Sequence, residues 1–307
     1  MLRFKFLLTS CLLLTCLPAT VFAQSKRFQK SPEQAGAIVE VYKETVDAKG
    51  KPVSLNAYVF MPEGHKPTDQ RSAIVFFFGG GWNSGTPNQF VEHCKYLSKR
   101  GMVAVTADYR VKSRQGTLAK ECVADGKSAV RWLRENADRL GIDPNRVVAG
   151  GGSAGGHVAA CTGTVSGYDE SGENLDVSSR PNAMALFNPA TVLASIEGRT
   201  KLDTKRTAEL PKRLGTEPKD LSPYHNISDE TPPAILFHGD ADKTVPHWTA
   251  EAFEQAMKSA GNVCQLCTFE GQGHGFFNFG RGNNSNYEKT IDQLDQFLVE
   301  QGFLEPR

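Results

Sequence analysis

The stretch VVAGGGSAGGHVAA, residues 147–160, sets Ser153 among five glycines, between an apolar β-branched run and an alanine-rich run. Glycine weakens any regular element through its backbone entropy, so its crowding marks a crossing where side chains do not fit. Residues 151–155 satisfy G-x-S-x-G with a strand-like run before and a helix-like run after. In that context a strained turn lifts the serine Oγ above the sheet edge, beside the start of a helix. The chemistry this implies is nucleophilic attack by a hydroxyl. A serine hydroxyl is a weak nucleophile near neutral pH and needs a base within hydrogen-bond reach and an acid to orient that base.

After such an elbow the partners come in the order Ser, Asp or Glu, His. Of the seven histidines, His247 and His274 lie after a plausible acid late in the chain. His247 opens a helix-like run and lies too close to the candidate acids to swing back onto the elbow. His274 sits in EGQGHGFF, a glycine-rich loop directly after the last strand-like run, and is the expected base. Four residues after Ser153, His157 lies on the elbow helix and is expected to pack or to support a neighbouring loop. The acid comes from AILFHGDADKTVP, where spacing leaves both Asp240 and Asp242 open. Acyl transfer also needs donors for a developing oxyanion, and the glycines of AIVFFFGGGW, residues 79–81, expose backbone N–H groups at the same sheet edge. The N–H of Ala154 completes that hole.

The elements that must position these groups are legible as hydrophobic patterns. Strand-like runs occur at 37–46, 53–61, 73–78, 102–107, 146–150, 183–187, 234–238 and 263–269. The first two alternate, as half-exposed antiparallel edges do, and the next five are almost wholly apolar, as buried parallel strands are. Helix-like patterns fall between the later runs, and several end at glycine: before Gly101, Gly141 and Gly261. The fold class is therefore α/β, an eight-stranded, mostly parallel sheet with helices on both faces and right-handed crossovers. Residues 166–233, rich in Ser, Gly, Asp, Pro and Lys, read as a lid-like or binding-loop region. Within it the basic stretch 199–213, broken by Asp203 and Glu209, reads as a solvated loop.

Residues 1–23 have a positive start at Arg3 and Lys5, an apolar stretch from Phe6 to Leu17 and a small-residue exit at Val21-Phe22-Ala23. They read as a secretory leader, with one domain over 24–307 and a secreted or periplasmic location. The apolar stretch is shorter than the ~20 residues of a membrane span, so no membrane association is expected after cleavage. A net charge of +1 gives no argument for nucleic acid as a partner. Cys94, Cys122, Cys161, Cys264 and Cys267 lie beyond the leader. At most one bridge is expected among them. Cys264 and Cys267 lie in a strand-like run, where a spacing of three puts them on opposite faces as buried apolar side chains.

FFFGGGW, VAVTADYR, GIDPNRVVAGGGSAGGH, HGDADKTVP and GQGHGFF, in that order, resemble the α/β-hydrolase superfamily, specifically esterases akin to hormone-sensitive lipase and bacterial carbohydrate acetyl esterases. The resemblance implies that Asp242 pairs with His274, and that Gly80, Gly81 and Ala154 supply the oxyanion donors. Phe78 stands where the family usually has histidine, so how firmly that loop is held becomes a question for the structure. The implied activity is hydrolysis of short acyl esters, acetyl foremost, by Ser153, Asp242 and His274, on a small ester or an acylated carbohydrate. No metal or organic cofactor is implied. Trp82 is a candidate wall of the substrate pocket. A feruloyl esterase and a peptidase like the prolyl oligopeptidases share the motifs, although the chain before the glycine loop has no room for the latter's propeller. Outside enzymes stands a catalytically silent binding protein of the same fold.

Overall fold

The computed structural model describes residues 31–199, 202 and 204–307, so the leader expected at residues 1–23 lies outside the described residues. All eight strand-like runs form strands: β1 Ile38–Val46, β2 Pro52–Phe60, β3 Arg71–Phe77, β4 Val103–Ala107, β5 Ile142–Gly152, β6 Ala183–Phe187, β7 Ala234–Gly239 and β8 Cys264–Phe269. They make one sheet in the order β1-β2-β4-β3-β5-β6-β7-β8. β1 and β2 pair antiparallel, as does β2 with β4, and the remaining pairs are parallel.

Strand order reverses at β3, which has β4 on one side and β5 on the other. In open α/β sheets the crevice beyond the carboxyl ends of the strands at such a reversal is where ligands bind. Gly79–Gly81 come close after β3 and Ser153 directly after β5, so the switch point holds both the glycine loop and the candidate nucleophile.

The helices are α1 Val91–Lys99, the single turn α2 Lys112–Gln115, α3 Ala119–Glu135, the single turn α4 Ala137–Leu140, α5 Ala154–Thr164, α6 Thr204–Leu214, α7 Trp248–Ser259 and α8 Ser285–Glu300. Two apolar cores lie on the two faces of the sheet. One gathers Val75, Phe77, Val158 and Leu236, the other Ile74, Phe76, Phe187 and Phe237, as the period-two alternation of each strand requires. Cys264 joins the first core and Cys267 the second, on opposite faces of β8, and all five described cysteines are free and buried.

Two expectations change. β5 runs on through Gly151 and Gly152 rather than ending at residue 150, because Gly151 pairs with Phe77 and Leu186, and Gly152 with Phe187. The glycines of the motif are thus strand first and turn second. The basic stretch 199–213 is not a solvated loop: most of it is α6, whose Leu210 and Leu214, spaced one turn apart, turn inward and are buried.

The lid-like region divides around β6. Its first part is fastened to α3, where Arg131 pairs with Glu173 at 2.7 Å and with Asp169, and Lys127 donates to the Gly167 carbonyl. Its second part carries α6 toward Ser153.

Candidate active site

Ser153 has φ 54° and ψ −116°, a strained conformation for a residue with a side chain. The strain is held from both sides. Its N–H donates to the Phe187 carbonyl at 2.8 Å, and its own carbonyl accepts from the His157 N–H at 2.9 Å as α5 begins. A Cβ on Gly155 would lie 2.1 Å from the Phe77 carbonyl oxygen, so only glycine lets the elbow helix pass this close to the end of β3. That accounts for the crowding of glycine around one hydroxyl.

His274 reaches the elbow from the loop after β8. Its Nε2 lies 2.8 Å from Ser153 Oγ and its Nδ1 2.7 Å from Asp242 Oδ2. The ring is aimed by the residues C-terminal to it. Phe276 and Phe277 are buried anchors, Phe276 against Phe269 at 4.5 Å between centroids and Phe277 against Phe187 at 4.8 Å. Arg281 Nη1 donates to the His274 carbonyl at 2.6 Å.

Asp242, not Asp240, completes the line. Asp242 Oδ1 accepts the N–H groups of Thr244 at 2.7 Å and Val245 at 2.9 Å. Burial would raise this carboxyl, but hydrogen bonds from His238, His274 and the Val245 amide outweigh it and hold Asp242 well below the usual carboxylate range. Asp240 is exposed and its Oδ1 accepts the Gly271 N–H at 2.7 Å, tying the loop after β7 to the one after β8. His247 is engaged elsewhere, with Nε2 2.9 Å from Thr268 Oγ1.

The glycine loop arches beside Ser153. Gly80 and Gly81 have φ 136° and 65°, and among the described residues no hydrogen bond takes up their N–H groups or that of Ala154. Phe78 settles how the loop is held: its buried ring stacks on Tyr109 at 4.1 Å between centroids, and Tyr109 Oη donates to the Phe78 carbonyl at 2.5 Å. Ring stacking and one buried tyrosine hydrogen bond together hold the loop.

Trp82 ends the loop, also left-handed at φ 59°. Its Nε1–H donates to His157 Nδ1 at 3.1 Å, and His157 Nε2 faces the Leu221 carbonyl at 2.8 Å. Burial lowers His157 to about 4, with the Leu221 bond opposing it, so the ring is a neutral strut rather than a base.

Two recesses meet at Ser153. One, about 180 Å³, is lined mainly by apolar side chains, among them Trp82, Val192, Leu193, Leu210 and Val245. Arg213 of α6 closes over it, donating to the Gly81 carbonyl at 3.0 Å with its guanidinium 5.2 Å from the centre of the Trp82 ring. The wider recess, about 610 Å³, presents Thr86, Gln89, His274, Asn278 and Phe279. None of residues 166–182 lines either one. Among the described residues no group of three or more His, Cys, Asp and Glu side chains could hold a metal ion.

Sequence reasoning missed His238, Asn188 and Arg213. His238 lies inside an apolar strand-like run and Asn188 just past another, so neither stands out, although His238 Nε2 comes within 3.4 Å of Asp242 Oδ2 and Asn188 Oδ1 accepts the Gly275 N–H at 2.9 Å. Arg213 is one basic residue among several in a stretch that reads as loop.

The family model described as BD-FAE matches residues 58–257, and that of the dienelactone hydrolase family matches residues 215–300. The acetylxylan esterase of Xylanibacter ruminicola is 30% identical over 245 residues, 78% of this chain and 46% of that protein. Esterase LipC of Mycobacterium tuberculosis is 26% identical over 227 residues, 68% of this chain and 54% of that protein. This chain spans about half the length of these two relatives. Among solved structures, the apo form of Thermogutta terrifontis esterase 2 superposes with a TM-score of 0.83 at 52% identity, covering 92% of this chain and all of that one. Its propionate-bound form gives 0.82 at 54% identity, covering 89% and 97%. The BD-FAE model, matching residues 58–257 over more than half of the chain, and the superposition on that esterase place the chain in the BD-FAE family, with the α/β-hydrolase fold.

Proposed function

We propose that the protein is a serine carboxylesterase that removes short acyl groups, acetyl foremost, from carbohydrate, and that it acts after export by the leader read at residues 1–23. The observation that carries the reading is the continuous line Asp242–His274–Ser153, at 2.7 and 2.8 Å, ending beside three N–H groups with no partner among the described residues.

In this reading Ser153 Oγ attacks the ester carbonyl carbon as its proton passes to His274 Nε2. The carbonyl oxygen becomes an oxyanion and takes hydrogen bonds from the N–H groups of Gly80, Gly81 and Ala154. Collapse breaks the bond to the alcohol oxygen, which leaves with the proton from His274 Nε2. Water then attacks the acyl-serine, His274 takes its proton, and the second collapse returns that proton to Ser153 Oγ and releases the acid. Asp242 accepts the Nδ1–H throughout, fixing the tautomer and balancing the imidazolium charge. Its carboxylate is favoured by the hydrogen bonds it accepts, so it stays anionic as the imidazole cycles.

The small apolar recess suits the acyl half of the ester and the wide recess, with its polar side chains, the alcohol half. The acetylxylan esterase among the relatives supports a carbohydrate alcohol. The test is hydrolysis of p-nitrophenyl esters from acetate to octanoate, with ferulate and an acetylated xylo-oligosaccharide alongside, by the protein and by Ser153→Ala. Preference for acetate, release of acetate from the oligosaccharide and a loss of several orders of magnitude in the variant are expected. Turnover that survives Ser153→Ala overturns the mechanism, and ferulate preferred over acetate overturns the acyl assignment.

A further inference from the structure

The glycine loop and the histidine loop leave the sheet at different places, one after β3 in the middle and the other after β8 at the edge. Ester hydrolysis by this site needs them registered to a fraction of an ångström, because the oxyanion donors and the imidazole act on the same carbonyl group. Backbone pairing alone does not register them, since β5, β6 and β7 lie between β3 and β8.

Two side-chain amides span the gap. Gln89, in the single 3₁₀ turn Pro87–Phe90, accepts the Gly79 N–H on Oε1 at 2.6 Å and donates through Nε2 to Asn278 Oδ1 at 2.8 Å. Asn278 then donates through Nδ2 to the Gly275 carbonyl at 2.8 Å. The polarity of the chain is forced. A backbone N–H only donates, so Oε1 must face Gly79; Nε2 is then left to donate, which turns Asn278 Oδ1 toward it and Nδ2 toward Gly275. Gly79 directly precedes Gly80, one of the oxyanion donors, and Gly275 comes directly after His274. The neighbours on either side are already fixed, Gly275 N–H by Asn188 Oδ1 and the Phe78 carbonyl by Tyr109. The amide pair therefore closes a gap between two anchored segments.

We infer that Gln89 and Asn278 are positioning residues that act as one unit, locking the oxyanion loop to the histidine loop. Neither donates to nor accepts from the reacting atoms, and neither titrates, so the lock holds at every pH at which the enzyme is folded. The inference rests on the esterase reading, because the two loops need a common register only if both act on one ester.

The experiment is steady-state kinetics on p-nitrophenyl acetate with Gln89→Met, Asn278→Leu and the double variant, each near-isosteric and unable to complete the chain, together with Ser153→Ala. A misplacement on the order of 1 Å costs about 100-fold in rate. Each single variant is therefore expected to lose about 10-fold to 100-fold in kcat with KM changed less than about 3-fold, and the double variant to be no slower than the slower single one. A kcat within about 2-fold of the parent in both single variants, or losses that multiply in the double variant, overturns the inference. If a single variant does not fold, Asn278→Ser, too short to reach both partners, carries the same expectation and the same refutation for the kcat of one half of the lock. Activity retained in Ser153→Ala would mean that the esterase reading itself had failed; loss there with full activity in the amide variants would sink the lock alone.

Discussion

Trp82 donates its indole N–H to Nδ1 of His157, so the residue that ends the glycine loop hangs from the first turn of the elbow helix. The loop that offers Gly80 and Gly81 and the turn that offers Ser153 are thereby referred to one strut. His157→Leu strands the buried indole N–H at one end and leaves the Leu221 carbonyl only the weak Cys161 thiol donor, 3.6 Å away, at the other. The expected cost is about 1–3 kcal/mol of stability, together with a kcat loss of about 10-fold from a loosened loop. Urea unfolding and steady-state kinetics check both, and an unchanged unfolding free energy would refute the strut.

Gly80 stands at φ 136°, and a Cβ placed there would lie 2.0 Å from the Ser84 carbonyl oxygen. Gly80→Ala is expected to displace the loop and lower kcat by about 100-fold or more, as loss of an oxyanion donor does. Gly36→Ala is the control: Gly36 is exposed before β1, the outermost strand, also has a positive φ of 95°, and a Cβ there meets nothing within 4 Å. It is expected to keep kcat within about 2-fold, since any backbone strain it adds lies away from the site. Similar losses in the two variants would mean that glycine content, not the hole, is being measured.

His93 packs among Phe76, Phe90, Phe187 and Tyr287, with both ring nitrogens buried and without a hydrogen bond. Burial lowers it to about 3 from the usual 6.5. Between those values the unfolded chain binds a proton that the folded chain refuses, so stability falls as pH drops through that window, by up to about 1.4 kcal/mol per pH unit. His157, lowered to about 4, adds to the fall over the upper part of the window. Asp242 acts further down: its depressed carboxyl contributes stability above the unfolded value of ~3.9 that is lost only as pH falls below it. His93→Phe is expected to remove up to one proton from the slope of unfolding free energy against pH between 6 and 4. An unchanged slope would show that His93 does not report on acid stability.

Leu210 of α6 and Val192 line the same small cavity beside Ser153. Leu210→Ala opens that cavity without touching the Asp242–His274–Ser153 line. The ratio of octanoate to acetate hydrolysis is expected to rise about 10-fold, the order of discrimination that an apolar pocket gives per methylene. A ratio that stays constant would place the acyl chain in the other recess.

Much of this was legible in the chain. The eight strands were, because buried parallel strands leave unbroken apolar runs and the antiparallel edge leaves alternation. The meeting of Ser153 and His274 was, because an elbow needs small neighbours and a glycine-rich loop after the last strand can bring a ring back to it. Asp240 and Asp242 differ by two residues on one turn, and only the fold decides which carboxylate faces the imidazole; the choice of Asp242 leaned on resemblance. Contacts between segments far apart in sequence escaped. Gln89 meets Asn278 across 189 residues and Trp82 meets His157 across 75, and neither pair has a local pattern to announce it. α6 escaped because Pro211 and its charges argue against a helix, while the burial of Leu210 and Leu214 that offsets them is visible only once a cavity is there to receive those side chains.

Among the described residues the five cysteines are unpaired and buried, and burial raises every one of their thiols, Cys267 to about 11 and Cys264 to about 12. Alkylating reagents attack thiolates, so these five thiols are silent toward them while the core is closed, and each breach of the core is not. Cys264 and Cys267, on opposite faces of the last strand, therefore form a two-channel clock: the order in which they become modified reports which side of the sheet uncovers first.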